Sequence, residues 1–507
     1  MPLRSRSTGQ LEVSVAPTSH RVEFGRPPLH PLETALVGVT SVHLCFLPWA
    51  LGTMHSWSQL VSLGLAAFGF ILAALPRTQQ VDANDAAKLR HWPMAPVAHS
   101  SVFWASVVFL LYIAVQGLNP AWRFFANAES WWLEPVASVS WLPSSVDAPF
   151  VRSNPWRVLT VFTSLVLLVA SIRGGFTRRK SYHALFAMLA TNGSVLALLG
   201  FVQRLAGADR IFGSYKPNNG AFVSSFIYPN HAGCYFNLMA GLAVGLAWWH
   251  HQRSNRKVEG PGLATAATVF AICCGGLVII SYSRMAITLL MIFTIITGVT
   301  LLFRLFRRRG PLKRRQESIP LILVFLVFLG IGIATLSSDK IRERFETVAS
   351  SPFAAVKDRS LARNAATDML RDHWFLGWGA GCFRYIFSKY SAHYPSIVFT
   401  DYGARRIWEH AHNDPLEFLC EFGVAGILPL LYLVIQVVRG ILLHRVWRNA
   451  LTLPLICAVA FVPLHAWFDF VFQCPAILIT WAVLLTSALR WTELDHPGGR
   501  QATITAN

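Results

Sequence analysis

The sequence predicts an all-α polytopic membrane protein with about twelve transmembrane helices and a long, mainly helical loop between spans 9 and 10. Three observations predict it. Only 14% of the 507 residues are charged and 54% are hydrophobic, whereas an ordinary soluble domain carries roughly 25% charge. Apolar runs recur along almost the whole chain, each long enough, at about 20 residues, to cross about 30 Å of hydrocarbon. Lys and Arg gather in alternate breaks between those runs, as they do in short cytoplasmic loops.

The runs place spans at 34–51, 57–75, 99–118, 156–172, 184–203 and 231–249, then at 263–281, 286–304, 319–337, 423–442, 452–472 and 475–490. The expected organisation is a cytoplasmic tail (1–33), a membrane domain of nine spans (34–337), a loop domain (338–422), a membrane domain of three spans (423–490) and a second cytoplasmic tail (491–507). The first tail is polar and basic without an apolar core, so it does not read as a cleaved signal peptide.

Sidedness follows from charge. With the N-terminus cytoplasmic, the inside loops hold Arg77, Lys88 and Arg90; then Arg173, Arg178, Arg179 and Lys180; then Arg253, Arg256 and Lys257. The run from Arg304 to Arg315 and the group Arg439, Arg445 and Arg448 complete the set. All five are basic, while the loops 119–155 and 338–422 mix both signs. The net charge of +19 is therefore a topology and lipid-headgroup signal, and nucleic acid is not an expected partner.

The eight cysteines form no CxxC pair or zinc spacing. Most lie in spans as small apolar residues, and only Cys382 and Cys420 fall where a disulfide is an option. Loop 119–155 carries Trp122, Trp131, Trp132 and Trp141, which reads as an aromatic anchor lying as a short amphipathic piece at the headgroup layer.

Chemistry should sit in or beside the long loop, which is too long for a simple connection. It starts with a charged helix end, Asp339 to Glu346. The stretch Arg359 to Arg371 has helical propensity and sets Arg359 and Arg363 one turn apart on one face. Gly377-Trp-Gly-Ala-Gly381 reads as a flexible turn rather than a dinucleotide fingerprint, because no βαβ unit surrounds it. A further helix starts around His410 to Glu417 and runs into the span at 423. His410, His412 and Asp414 would not share a helix face, so no metal site is expected. Outside the loop, Ser281-Tyr282-Ser283-Arg284 marks the outer junction of two spans and Asn230-His231 the outer start of another. An arginine at that depth needs a cavity, a partner or the headgroups.

In order, Asn230-His231, Ser281-Tyr282-Ser283-Arg284, Arg359, Asp372-His-Trp-Phe-Leu-Gly-Trp-Gly379, and His412-Asn413 ahead of Gly423-Val-Ala-Gly426 resemble the O-antigen ligase and polymerase superfamily. The resemblance covers roughly residues 200–440 and implies a multi-pass glycosyltransferase of the GT-C type in a bacterial inner membrane. It implies His412 as base at the acceptor hydroxyl, Arg284 and Arg359 as ligands of the donor diphosphate, and Asn413, Asn230, His231 and Ser283 as supporting residues. Arg363 stands where the family often has Trp, which adds a phosphate ligand, and Trp374 where it often has Pro.

The chemistry is consistent with that assignment. Guanidinium groups keep their charge and offer paired donors to phosphate, so they can stabilise a departing diphosphate as a metal would. An imidazole can take the hydroxyl proton in the transition state. No strong outer acidic cluster is evident, although Asp401, Glu409, Asp414 and Glu417 leave metal-dependent transfer open. The reading is a metal-independent transferase without cofactor, moving a glycan from an undecaprenyl-diphosphate carrier to lipid A-core, a growing polysaccharide or a protein. A transporter or flippase of lipid-linked glycans would place ionisable groups at mid-membrane with inverted repeats, and a peptidoglycan-type polymerase would use an outer acidic catalyst.

Overall fold

Backbone amides have no water to bind in lipid, so an apolar run must close on itself as a helix. The computed structural model, which describes residues 29–80, 88–217, 220–307, 352–399 and 407–495, contains ten helices long and apolar enough to span. They are α1 (Pro31–Trp49), α2 (Ser56–Ala74), α4 (Ser101–Leu118), α5 (Pro155–Gly175), α6 (Arg179–Leu205), α7 (Pro229–Asn255), α8 (Gly262–Ile280), α9 (Arg284–Arg307), α13 (Asp414–Leu443) and α15 (Pro475–Glu493). A short α3 (Ala95–Ala98) precedes α4. The protein is thus all-α and polytopic. The expected span 319–337, the helix end 339–346, Asp401 and the tail residues 1–28 and 496–507 lie outside the described residues.

Helix starts are written locally. Proline opens α1, α5, α7 and α15, where its missing N–H costs nothing. Asn154 caps α5 by accepting from the Arg157 amide at 2.9 Å. The expected span 452–472 is shorter than its apolar run: α14 (Thr452–Ala466) ends early, and residues 467–470 form a turn before α15.

Helix α7 is the centre of the bundle, with 89% of its membrane window buried. Its small residues allow this. A Cβ on Gly241 would stand 2.2 Å from the Ala458 Cβ, and one on Gly245 would stand 2.4 Å from the Leu451 carbonyl oxygen. Only a side-chain-free stripe lets α14 approach so closely. Peripheral helices expose large apolar side chains, Val108 and Leu111 on α4 and Leu428 and Leu431 on α13 among them. In water such faces would aggregate, and in a bilayer they meet acyl chains.

The loops segregate to two ends. At the basic end, the strands β1 (Arg77–Gln80) and β2 (Lys88–His91) pair antiparallel. Arg173 reaches Glu493 at 2.6 Å and Arg179 reaches Asp495 at 2.7 Å there. At the opposite end lie α10 (Pro352–Asp372), α11 (Phe383–Ser391) and α12 (Pro395–Val398). Loop 119–155 joins them as a sheet rather than an amphipathic piece on the surface. The strands β3 (Pro120–Ala126), β4 (Trp131–Pro135) and β5 (Ser145–Asp147) run in the order β4-β3-β5. The reason is packing: Phe124, Trp122 and Trp131 join Ala362, Met369, Trp378, Tyr385 and Phe387 in one apolar cluster. Trp141 and Trp132 stay exposed as anchor residues would. Cys382 and Cys420 are free, buried thiols; Cys382 accepts from the Val146 amide, and Cys420 donates to the Ala366 carbonyl.

Candidate active site

The site is organised by the turn 467–470. Because α14 packs on α7, this turn meets the start of α7: Asn230 Nδ2 donates to Asp469 Oδ2, and the His231 ring nitrogen Nε2 lies 3.1 Å from the Phe470 carbonyl oxygen. From the loop side, His412 Nδ1 sits 3.1 Å from Asp469 Oδ1. Asn413 caps α13 by accepting from the Leu416 amide at 2.9 Å and donates to the Trp467 carbonyl at 3.0 Å. Arg359, on α10, donates to the Phe468 carbonyl at 3.3 Å. Five residues singled out in the sequence therefore converge on four consecutive residues of one turn.

The helix expected to begin around His410 begins at Asp414 instead, with Asn413 as its cap. His410 and His412 precede it, and His412 has φ +51°, in the left-handed region that a non-glycine residue adopts only when its surroundings hold it there. The two imidazoles go to different carboxylates, His410 to Glu417 at 2.8 Å and His412 to Asp469. Asp414 is fully buried and accepts from the Phe472 amide at 2.8 Å. Among the described residues no three His, Cys, Asp or Glu side chains are grouped to hold a metal ion.

Arg363 lies one turn further along α10, half-buried, and is not among the described groups that meet the turn. Arg284 is the exposed first residue of α9. Its junction is tight: Ser281 accepts from the Ser283 amide and Ser283 from the Ala286 amide. A Cβ on Gly233 of α7 would lie 2.5 Å from Ala286 Cβ, so α7 carries the Arg284 junction and the Asn230-His231 pair to the same end.

Residues 269–431 match the family model described as O-antigen ligase. These residues carry an O-antigen ligase domain, a match that supports the O-antigen ligase/polymerase superfamily. No curated protein matches it. The matched stretch contains Arg284, Arg359, Arg363, His412 and Asn413 and stops short of Asp469. In general terms the matched domain supports a glycosyltransferase of the O-antigen ligase/polymerase type.

The residue that sequence reasoning missed is Asp469. It was counted inside an apolar span, and the available signal was its charge there, since an ionisable group at such depth has a functional or partnered role by default. Burial alone would raise its pKa. The hydrogen bond and charge of His412, with His465 and His231 adding to it, outweigh burial and hold the Asp469 carboxyl well below the usual carboxylate range. An ionised carboxylate only accepts hydrogen bonds, so His412 must present Nδ1–H to it, which leaves Nε2 as the basic nitrogen. The candidate site thus carries an imidazole whose Nδ1 is oriented by a buried carboxylate.

Proposed function

We propose that this protein transfers a glycan from an undecaprenyl-diphosphate-linked donor to an acceptor hydroxyl at the periplasmic face of the bacterial inner membrane. The observation that carries the reading is the 3.1 Å contact between His412 Nδ1 and Asp469 Oδ1 in a chain that carries this domain. His412 Nε2 takes the proton of the acceptor hydroxyl as that oxygen bonds to the anomeric carbon. The bond from that carbon to the diphosphate oxygen breaks, and its electron pair leaves with the lipid diphosphate. Asp469 stabilises the imidazolium that forms and holds its tautomer. Arg359 and Arg284, with Arg363 as an additional cation, offset the charge on the leaving diphosphate, so the reaction runs without a metal or cofactor. Asn413, Asn230 and His231 hold the turn that carries Asp469, and Ser283 caps the helix that begins with Arg284.

The test uses purified protein and a defined lipid-linked oligosaccharide, with lipid A-core, saccharide and protein acceptors offered separately, with and without chelator. His412→Ala, Arg284→Ala and Arg359→Ala are each expected to lose transfer, and chelator is expected to have no effect. Near-wild-type transfer by all three variants refutes the mechanism, and the acceptor that is consumed identifies the branch of the superfamily.

A further inference from the structure

Tyr228 stands immediately before the proline that opens α7. A proline crowds the helical conformation of the residue ahead of it and leaves that residue extended; Tyr228 accordingly has φ −122° and ψ 123°. From there its ring reaches the turn 467–470. It stacks on Phe470 at 5.0 Å and 28°, and it meets the His231 ring edge-to-face at 5.1 Å and 67°. Two aromatic contacts hold the ring of this half-buried tyrosine and so fix where its hydroxyl stands.

The hydroxyl belongs to the same network as the imidazole. Asn230 Nδ2 carries two hydrogens: it donates to Asp469 Oδ2 and to the Tyr228 oxygen, the latter at 3.4 Å. The Tyr228 oxygen thus accepts, and its own proton meets no acceptor among the described residues. That proton is retained. Burial and the Asp469 carboxylate push the hydroxyl up to about 12, against the Arg359 guanidinium and the Asn230 hydrogen bond, which pull it down. Tyr228 is therefore a neutral group with an unspent O–H, and it feels both the carboxylate that orients His412 and the Arg359 guanidinium.

The partner for that proton follows from what the reaction brings to the turn. An O–H donor bonds most strongly to an anionic oxygen, and the anion of the reaction is the diphosphate. Arg359 is anchored on the Phe468 carbonyl, two residues along the turn from the ring on which Tyr228 stacks. A phosphate held by that guanidinium therefore comes to the end of the turn where the free O–H stands. We propose that Tyr228 is a further ligand of the leaving diphosphate, its O–H donating to a phosphate oxygen beside Arg359. The inference rests on the transferase reading above, and its first test does not depend on turnover. No proton changes hands in this contact. The hydrogen bond strengthens as negative charge collects on the departing oxygens, so it stabilises the transition state more than the bound donor.

Isothermal titration of the full chain in nanodiscs, with farnesyl diphosphate as a probe for the leaving group and farnesol as its phosphate-free control, reads binding directly. Tyr228→Phe keeps the ring on Phe470 and removes the O–H. It is expected to weaken farnesyl diphosphate binding about tenfold and to leave farnesol binding unchanged. In turnover with a lipid-linked oligosaccharide, the same variant should lower kcat about tenfold or more with the acceptor KM unchanged. Tyr228→Leu, which removes the ring as well, should lose at least as much. Wild-type binding and turnover by Tyr228→Phe, with a loss confined to Tyr228→Leu, would give the ring a packing role and overturn the proposal. An equal loss of farnesol binding, or a rise in acceptor KM alone, would overturn it too. Loss of farnesyl diphosphate binding by Arg359→Ala beside any of these results leaves the transferase reading standing. Absence of saturable farnesyl diphosphate binding to the wild type overturns that reading and the Tyr228 contact together.

Discussion

At the residue scale, the pairing of His412 with Asp469 sets both the tautomer of the imidazole and the charge of the carboxylate. Replacing Asp469 by Asn keeps the shape and removes the anion. Because an amide can donate as well as accept, the imidazole is no longer held as the Nδ1–H form, and transfer should fall about 100-fold or more. The same change has a pH signature. The folded-state pKa of Asp469 is depressed, so its contribution to stability is fully present above the ordinary carboxyl value of about 3.9 and is lost as pH falls through the lower folded value. Thermal melts of wild type and Asp469→Asn should therefore differ by a constant margin from neutral pH down to about pH 5 and converge only in stronger acid. A margin that closes between pH 7 and 6 would mean that a histidine, and not Asp469, governs the difference.

At the scale of elements, the site depends on a break inside α13. Gly423 sits at φ +60°, ψ −178°, a conformation open essentially to glycine alone. There the helix unwinds and takes up the Gly377–Gly381 turn. The Trp378 amide donates to the Cys420 carbonyl at 2.8 Å and the Gly379 amide to Glu421 at 2.9 Å; in return the Val424 amide donates to Trp374 and the Ala425 amide to Phe375, both at 2.9 Å. The turn read as flexible is thus pinned by two backbone hydrogen bonds of its own and two from the residues just before it. Gly377 and Gly423 lie back to back, and a Cβ on either would come within 2.5 Å of the other's backbone nitrogen. Gly423→Ala is expected to destabilise the protein by about 2 kcal/mol or more, from the strained φ and the backbone clash together. Thermal unfolding in detergent measures it, and an unchanged melt would show that the turn is not held by this break.

At the scale of the whole molecule, the bundle sorts its loops into a basic end and a site end, and the charge rule assigns the basic end to the cytoplasm. Single cysteines test that orientation at exposed positions, Ser138 at the site end and Asn255 at the basic end. In intact cells with a permeable outer membrane, an impermeant thiol reagent should label Ser138→Cys and reach Asn255→Cys only after the inner membrane is opened. The reverse pattern would place His412 in the cytoplasm and remove the lipid-linked donor from reach.

The sequence alone determined the class of fold, because period, length and charge depletion are local properties that the bilayer enforces on each span separately. It also singled out His412, Asn413 and Arg359 as candidates, through motifs short enough to be seen without knowledge of contacts. Tertiary structure alone decided the rest. Asp469 lies 57 residues from His412, and nothing local marks it as a partner; it becomes one because small residues on α7 let α14 lie close and turn its end toward Asn230 and His231. The β3–β5 sheet was hidden for a similar reason, since its tryptophans look alike whether they face headgroups or pack on α10 and α11. Apolar pattern records which side chains avoid water, but the closeness of two helices depends on both of their surfaces at once, and that is where the candidate site is assembled.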